Sequence, residues 1–224
     1  MHSWVDNDVY EDVFDVDGVW PISLRWVLTE KEEDGAKFHK ARLVARGFEE
    51  DTSDLVTRST TVSRDSTRGF LAMLASYRWK PSSMDVKTAF LQGKDIERDV
   101  FVKPPIEARQ GATHLWRLKK AIYGLGDASR NLFDTIKNFF LEEGGQAHVL
   151  DECAFVWLDK NDNALGIVII HVDDIAYGGS KDFLGIMQRL RERFLIGKEK
   201  EGDFVFLGMQ VSTHTNGNLS LIHI

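Results

Sequence analysis

Leu165-Gly-Ile-Val-Ile-Ile-His-Val-Asp-Asp-Ile-Ala-Tyr177 is the stretch on which the reading of this chain turns. The run Ala164 to Ile170 is apolar and rich in β-branched residues, the composition of a strand buried on both faces. Two carboxylates, Asp173 and Asp174, follow closely, and Ile175 to Tyr177 resumes the apolar pattern before Gly178-Gly179 breaks it. Strands on both sides describe a hairpin with the acids at its tip. Ionised acids beside such a strand are costly to desolvate unless a cation or a donor compensates. An ordinary polar turn would carry the same dipeptide, so the dipeptide alone does not decide a function.

Working outward, Ala154 to Leu158 reads as the preceding strand, separated from the first by the polar turn Asp159-Lys-Asn-Asp-Asn163. Asp127 to Phe140 is an amphipathic helix with Leu132, Phe133, Ile136, Phe139 and Phe140 on its apolar side, Asp127 in the N-cap position and Gly144-Gly145 at its end. Phe183 to Phe194 is a further helix, and Phe204 to Val211 a final strand. Towards the N-terminus, Ser66 to Trp79 is helical, stopped by Pro81. Leu24 to Thr29 and Phe38 to Ala45 form a hairpin around an Asp34-Gly35 turn. Residues 1–19 are acidic without a clear period and are expected to be ordered in part at best. Strands and helices are interspersed, which gives an α/β or α+β class.

A third acid gives the tip its meaning. Asp85 ends the short strand-like segment Ser83 to Val86, immediately before Val-Lys-Thr-Ala-Phe90. Three carboxylates on two neighbouring strand ends can hold two divalent ions. Two metals about 4 Å apart stabilise both the attacking and the leaving oxygens of an in-line phosphoryl displacement. Hard oxygen ligands suit magnesium, with manganese as a substitute. Adjacent strand residues point to opposite faces, which ranks Asp85 and Asp173 ahead of Asp174 as ligands.

Composition limits the alternatives. With 224 residues, 43% hydrophobic and 28% charged, the chain is long enough for one large domain or two small ones. The single cysteine, Cys153, excludes intramolecular disulfides and thiolate-rich zinc sites and reads as a small buried side chain. No apolar run approaches the roughly 20 residues of a membrane span, and the acidic N-terminus is unlike a signal peptide. The expected setting is intracellular, without membrane contact. The net charge of −7 is wrong for a nucleic-acid binder until its distribution is considered. Residues 1–17 carry six acids and no Lys or Arg, and without those six the chain is −1. Residues 101–137 hold seven basic residues against three acids, a local +4 able to track a phosphate backbone or simply to be solvated.

At this point five motifs in order resemble copia-type retrotransposon reverse transcriptases: Lys40-Ala-Arg-Leu-Val-Ala-Arg-Gly-Phe48, Met84-Asp-Val-Lys-Thr-Ala-Phe-Leu-Gln-Gly93, Leu118-Lys-Lys-Ala-Ile-Tyr-Gly-Leu125, His171-Val-Asp-Asp174 and Phe206-Leu-Gly-Met209. The resemblance runs from about Trp20 to the C-terminus. It implies an α+β right-hand polymerase with fingers and palm, the palm an antiparallel sheet backed by helices. Fingers would take residues 20–80 and part of 95–125, and palm the remainder. It implies RNA-directed DNA synthesis with two Mg2+ ions, a primed RNA or DNA template and dNTPs. Asp85, Asp173 and Asp174 would be the catalytic metal ligands, with the Val86 carbonyl as a further one. Phe90 would be the gate that excludes a ribose 2′-hydroxyl by clash, and Ala89 belongs with it to the nucleotide site. Lys40, Arg42 and Arg46 resemble the basic strand that grips the triphosphate, without deciding which makes the contact. Tyr123-Gly124 would let template and nucleotide approach closely, and Phe206 to Met209 would hold the primer end. Lys198 or Lys200 would protonate the leaving pyrophosphate.

The chain departs from the family in two places. His171 stands where tyrosine is usual, and Gly124-Leu-Gly-Asp-Ala-Ser-Arg130 stands for Gly-Leu-Lys-Gln-Ala-Pro-Arg, which lowers positive charge near the template path. No protease, integrase or RNase H segment is visible, so the expected context is a Pol polyprotein carrying those partners, in a cytoplasmic virus-like particle or the nucleus. The departures keep open a second reading, a catalytically impaired remnant that binds nucleic acid or protein. A dinucleotide loop at Gly124-Leu-Gly-Asp-Ala-Ser129 fails its own pattern, because Ser129 replaces the third glycine and the following acids, Glu142 and Glu143, fall at a helix end.

Overall fold

The computed structural model describes residues 2–33, 35–58, 60–214 and 218–223. The chain divides into two units, Met1–Arg58 with Phe90–Leu132, and Ser59–Ala89 with Phe133–Ile224. Among the described residues no helix is long and apolar enough to cross a membrane.

The first unit opens with α1 (His2–Asp6), β1 (Tyr10–Val13), β2 (Ile22–Glu33) and β3 (Ala36–Ala45). The chain next forms α2 (Arg64–Tyr77) and β4 (Ser82–Val86) of the second unit, then β5 (Phe101–Lys103) and β6 (Leu115–Leu118) of the first. The strand order is β1-β6-β5-β2-β3, antiparallel except for the β2–β5 pair. The predicted hairpin is longer than its alternation suggested. Leu43 and Ala45 at its base are buried, whereas residues 36–41 are exposed, so only the base carries a hydrophobic signal. Asp34 of the expected turn lies outside the described residues, and Gly35 has φ +78°.

The acidic N-terminal segment is ordered, contrary to expectation. Trp4 and Val9 are buried, and Tyr10 stacks on Trp116 with ring centroids 4.1 Å apart. β1 pairs with β6 from Tyr10↔Leu118 to Val13↔Leu115. Its acids meet two cations and an imidazole about a hundred positions away. Lys119 Nζ reaches Asp8 at 2.9 Å, Arg117 Nη1 reaches Glu11 at 3.0 Å, and His114 Nε2 lies 2.7 Å from Asp12. The acidic and basic extremes of the sequence therefore partly neutralise each other, and Arg117 and Lys119 are engaged within the protein.

The second unit holds α2, β4 and most of α3 (Ala128–Glu142), whose first residues belong to the first unit. It continues with β7 (Gln146–His148), β8 (Asp151–Leu158), β9 (Ala164–His171), β10 (Asp174–Gly179), α4 (Lys181–Arg193) and β11 (Ile196–Glu201). Then follow β12 (Phe204–Phe206), β13 (Met209–Thr213) and β14 (Leu219–His223). The main sheet runs β11-β4-β10-β9-β8-β7 and is antiparallel throughout, with α2 packed on β9 and α4 on β9 and β10. The smaller sheet is β12-β13-β14. The architecture is α+β with mainly antiparallel sheets. Residues 59–80 group with this unit rather than with the first, because α2 packs on β9 and β4 is an inner strand of the main sheet.

Local chemistry sets the element ends. Ser63 caps α2 by accepting from the Ser66 N–H, and Ser180 caps α4 by accepting from Phe183. Asp127 precedes α3 as expected, but its carboxylate is turned to Arg98, at 2.9 and 3.1 Å. Gly178-Gly179 does not break β10. The Phe183 ring lies against the sheet where a Cβ on Gly179 would come within 2.4 Å and one on Gly166 within 2.1 Å, so packing explains these glycines. The expected final strand is two strands, because Leu207 (φ +52°) and Gly208 (φ +72°) make a two-residue turn between Phe206 and Met209. Cys153 is fully buried.

Candidate active site

The acids are positioned by the ladder of the main sheet. β9 and β10 form a hairpin in which His171 pairs with Asp174, leaving Val172 and Asp173 as a two-residue tip. Val172 sits at φ +59°, a conformation that costs a β-branched residue about 1–2 kcal/mol. On its other side β10 pairs with β4, with Asp174 directly opposite Asp85 and Ile175 opposite Met84. The Val86 N–H donates to the Asp173 carbonyl at 2.9 Å, tying the tip to β4. Residues 87 and 89 positions apart thus share one rung region of a sheet. Burial alternates along β4, with Met84 and Val86 buried and Asp85 half-buried on the opposite face.

Sequence alternation ranked Asp174 third, but it is the acid in register with Asp85. The turn ends the strand before Asp173, so alternation across the pair does not apply. Desolvation, together with the negative charges of Asp173 and Asp85, pushes the Asp174 carboxyl up from 3.8 to about 6, although the residue retains an exposed surface. Burial also lowers the His171 imidazole, against an opposing effect of Asp173. Among the described residues no three acidic, histidine or cysteine side chains are already gathered to hold a metal ion. The donor set still fits a hard divalent cation. Crowded carboxylate oxygens are its preferred ligands, and a cation among them would reverse the shift on Asp174.

Of the other predicted residues in this unit, Val86, Ala89 and Phe206 are buried, and Lys198 and Lys200 are exposed on β11. Sequence reasoning missed two features beside them. Thr88 has φ +50°, and its Oγ1 is buried without a hydrogen-bond partner. The Lys198 backbone N–H donates to Asp85 Oδ1. Neither a positive φ at a β-branched residue nor a main-chain donor from a distant strand leaves a signal in composition or spacing.

Lys40, Arg42, Arg46, Phe90, Tyr123 and Gly124 belong to the first unit. The Arg42 guanidinium lies 5.8 Å from the Tyr123 ring centroid, and Phe90 meets Tyr123 edge-on at 4.6 Å. Lys40 and Arg46 are exposed. Arg46 follows the end of β3 with φ −83° and ψ 79°, so strand alternation does not extend to it. Tyr123-Gly124 is joined to the end of β3: Ala45 N–H donates to the Tyr123 carbonyl at 2.8 Å. Gly124 has φ +96°, and a Cβ there would lie 2.1 Å from the Ala45 carbonyl oxygen. That close approach within the protein is sufficient reason for glycine. Gly124→Ala is expected to destabilise the fold by about 2 kcal/mol or more, from the positive φ and the forced contact, read as a lower denaturation midpoint.

The altered segment after Gly124 is internally compensated. Asp127 is paired with Arg98, which also pairs with Glu50, and Glu50 Oε2 accepts the Gly126 N–H at 2.8 Å. A Cβ on Gly126 would meet Thr52 Cγ2 at 2.9 Å. Asp127 therefore does not stand as a bare negative charge.

The family described as Reverse transcriptase (RNA-dependent DNA polymerase) matches residues 7–223, nearly the whole chain. This chain belongs to the reverse transcriptase family. The retrovirus-related Pol polyprotein from transposon RE2 of Arabidopsis thaliana is 29% identical over 205 residues, covering 88% of this chain and 14% of that protein. The one from transposon TNT 1-94 of Nicotiana tabacum is 29% identical over 199 residues, covering 85% and 14%. The truncated transposon Ty1-A Gag-Pol polyprotein of Saccharomyces cerevisiae is 30% identical over 178 residues, covering 78% and 14%. The reverse transcriptase chain thus spans about one seventh of the length of these relatives, which are polyproteins of the copia-type retrotransposons that its motifs resemble. Reverse transcriptases are generally dependent on divalent metals.

The raised Asp174 carboxyl makes stability depend on pH. An acid with a raised folded-state pKa binds its proton more tightly when folded. Its contribution to stability is greatest below 3.8, declines as pH rises to about 6, and is unfavourable above. In a chelator, the thermal midpoint should show this decline, and Asp174→Asn should remove it.

Proposed function

We propose that this chain is the RNA-directed DNA polymerase domain of a copia-type retrotransposon Pol polyprotein. The first unit corresponds to fingers and the second to palm. The observation that carries the reading is the register of Asp174 with Asp85, beside a tip bonded through Asp173 to Val86, in a chain of this family.

Asp85, Asp173 and Asp174, with the Val86 carbonyl, would hold two divalent ions, Mg2+ or in its place Mn2+. When bound, such ions supply Lewis-acid stabilisation of the attacking and leaving oxygens. The primer 3′-oxygen attacks the α-phosphorus of a dNTP, the α–β bridging P–O bond breaks, and pyrophosphate leaves. The protein mainly positions these groups. Arg42, held against Tyr123, is the preferred triphosphate contact among the three basic residues, with Lys40 and Arg46 adding longer-range attraction. Phe90 would be held in place by Tyr123 and exclude a 2′-hydroxyl. The partners are a primed RNA or DNA template, dNTPs, and the RNase H and integrase segments of a polyprotein.

The test is extension of a primed RNA template with dNTPs and Mg2+ or Mn2+. Template-dependent extension is expected. Template binding without extension at any divalent ion would instead support the impaired remnant.

A further inference from the structure

β11 pairs with β4 in a broken register. Ile196 stands opposite Val86 and Glu199 opposite Met84, so Gly197 and Lys198 together face the single residue Asp85. Two residues against one is a β-bulge, a device that re-aims the groups around it. Here it brings the Lys198 N–H onto Asp85 Oδ1. It also leaves Gly197 with no room for a side chain while the Asp85 carboxylate keeps its bond to Lys198. A Cβ on Gly197 would lie 2.4 Å from Asp85 Oδ2, 2.9 Å from Cγ and 3.1 Å from Oδ1, and these are its three nearest atoms. Gly197 is not among the residues with positive φ. Its backbone conformation is therefore one that other residues adopt, and the demand for glycine comes from the carboxylate.

The opposite neighbour of Asp85 makes such a restraint necessary. On β10, Asp174 stands directly across from it, and like charges placed opposite on neighbouring strands repel. A carboxylate between a like charge and open solvent has several rotamers available. One whose Oδ1 is bonded to a fixed main-chain donor, with its Oδ2 side closed by the glycine, has far fewer. A ligand ordered in advance does not lose that freedom when an ion binds.

We infer that Gly197 and the Lys198 N–H form a seat that fixes the Asp85 carboxylate for metal binding, which makes Gly197 a positioning residue for nucleotidyl transfer. This rests on the polymerase reading above. The seat uses the Lys198 main chain, so it is independent of any role of the Lys198 side chain.

The test combines Gly197→Ala and Asp85→Ala in a double-mutant cycle on the full chain, with thermal unfolding followed in a chelator. Gly197→Ala is expected to lower Tm in the otherwise unmutated protein and to have little effect in the Asp85→Ala background, where the colliding carboxyl is gone. If Gly197→Ala alone does not fold, recovery in the double variant is the same expected result. An equal loss in both backgrounds, or a double variant that also fails to fold, overturns the seat. Mn2+ binding, read from the paramagnetic resonance signal of the free ion, should weaken roughly tenfold or more in Gly197→Ala. Gly185→Ala, whose Cβ would meet only Arg189 Nη1 at 3.8 Å, should leave Mn2+ binding unchanged. Unchanged Mn2+ affinity in a folded Gly197→Ala variant overturns the positioning role alone. An unmutated protein that binds no Mn2+ while the coupling persists overturns the polymerase reading beneath it, so the two failures are told apart.

Discussion

Asp173→Asn is expected to abolish primer extension while leaving the chain folded. The substitution keeps the size of the side chain and the backbone carbonyl that accepts the Val86 N–H, so the tie between hairpin tip and β4 survives. It removes one negative charge beside Asp174, whose pKa is raised in part by that charge. The metal-free protein should therefore be no less stable than its parent at neutral pH. On the proposed reading, what would be lost is an anionic ligand for ions that would stabilise the attacking and leaving oxygens. That stabilisation is worth several kcal/mol, and losing about 4 kcal/mol of it slows the reaction on the order of 10³-fold. Extension rates measured at saturating dNTP and template, alongside thermal unfolding in chelator, separate the effects. Extension within tenfold of the parent rate would show that Asp173 is not a ligand, and a collapsed thermal midpoint would show that its role is structural.

The readable parts of this chain were those with local causes. The β9–β10 hairpin was legible because β-branched composition, a polar turn and the acid pair all lie within twenty residues. The three long helices were legible from apolar spacing, with ends within two residues of those observed. The parts that escaped depend on distant partners. Trp4 and Val9 carry no period, and their segment is ordered by a core and by cations about a hundred positions away. Gly178 and Gly179 read as a break because nothing local announces the Phe183 ring that requires Gly179. The site shows the same division. Asp85, Asp173 and Asp174 were each nameable from sequence, yet only the strand register identifies Asp174 as the residue facing Asp85. Val172, Thr88 and Gly197 were invisible because a positive φ or an excluded Cβ is a property of the assembled backbone.

Trp116→Ala is expected to be the most destabilising change in the first unit, and it tests whether the N-terminal segment is an integral part of that unit. The ring is 1% exposed and stacked on Tyr10, with Trp4 5.8 Å away on the tilt. Its Nε1–H donates to Asp12 Oδ1 at 2.9 Å, and His114 Nε2 approaches the same oxygen at 2.7 Å. Gln110 N–H donates to His114 Nδ1, so the imidazole proton is on Nε2 and points at Asp12. Truncating a buried tryptophan costs about 3–5 kcal/mol through lost burial and the cavity left behind. That is a large part of the roughly 5–15 kcal/mol that holds a small domain folded. Trp116→Phe keeps most of the packing and loses the N–H, which should cost about 1–2 kcal/mol. Deleting residues 1–13 removes Trp4, Val9 and Tyr10 from the same cluster and should resemble Trp116→Ala in urea unfolding. If the deletion leaves the midpoint unchanged while Trp116→Ala lowers it, β6 is self-sufficient and β1 is an accessory edge strand. If both fall together, β1 is integral to the unit, and the deletion also removes Asp8 and Glu11, the counter-charges of Lys119 and Arg117, which would uncover basic side chains for phosphate. Weaker salt dependence of template binding in the parent than in the deletion variant would be the signature of that exposure, because each added phosphate contact steepens the dependence on salt.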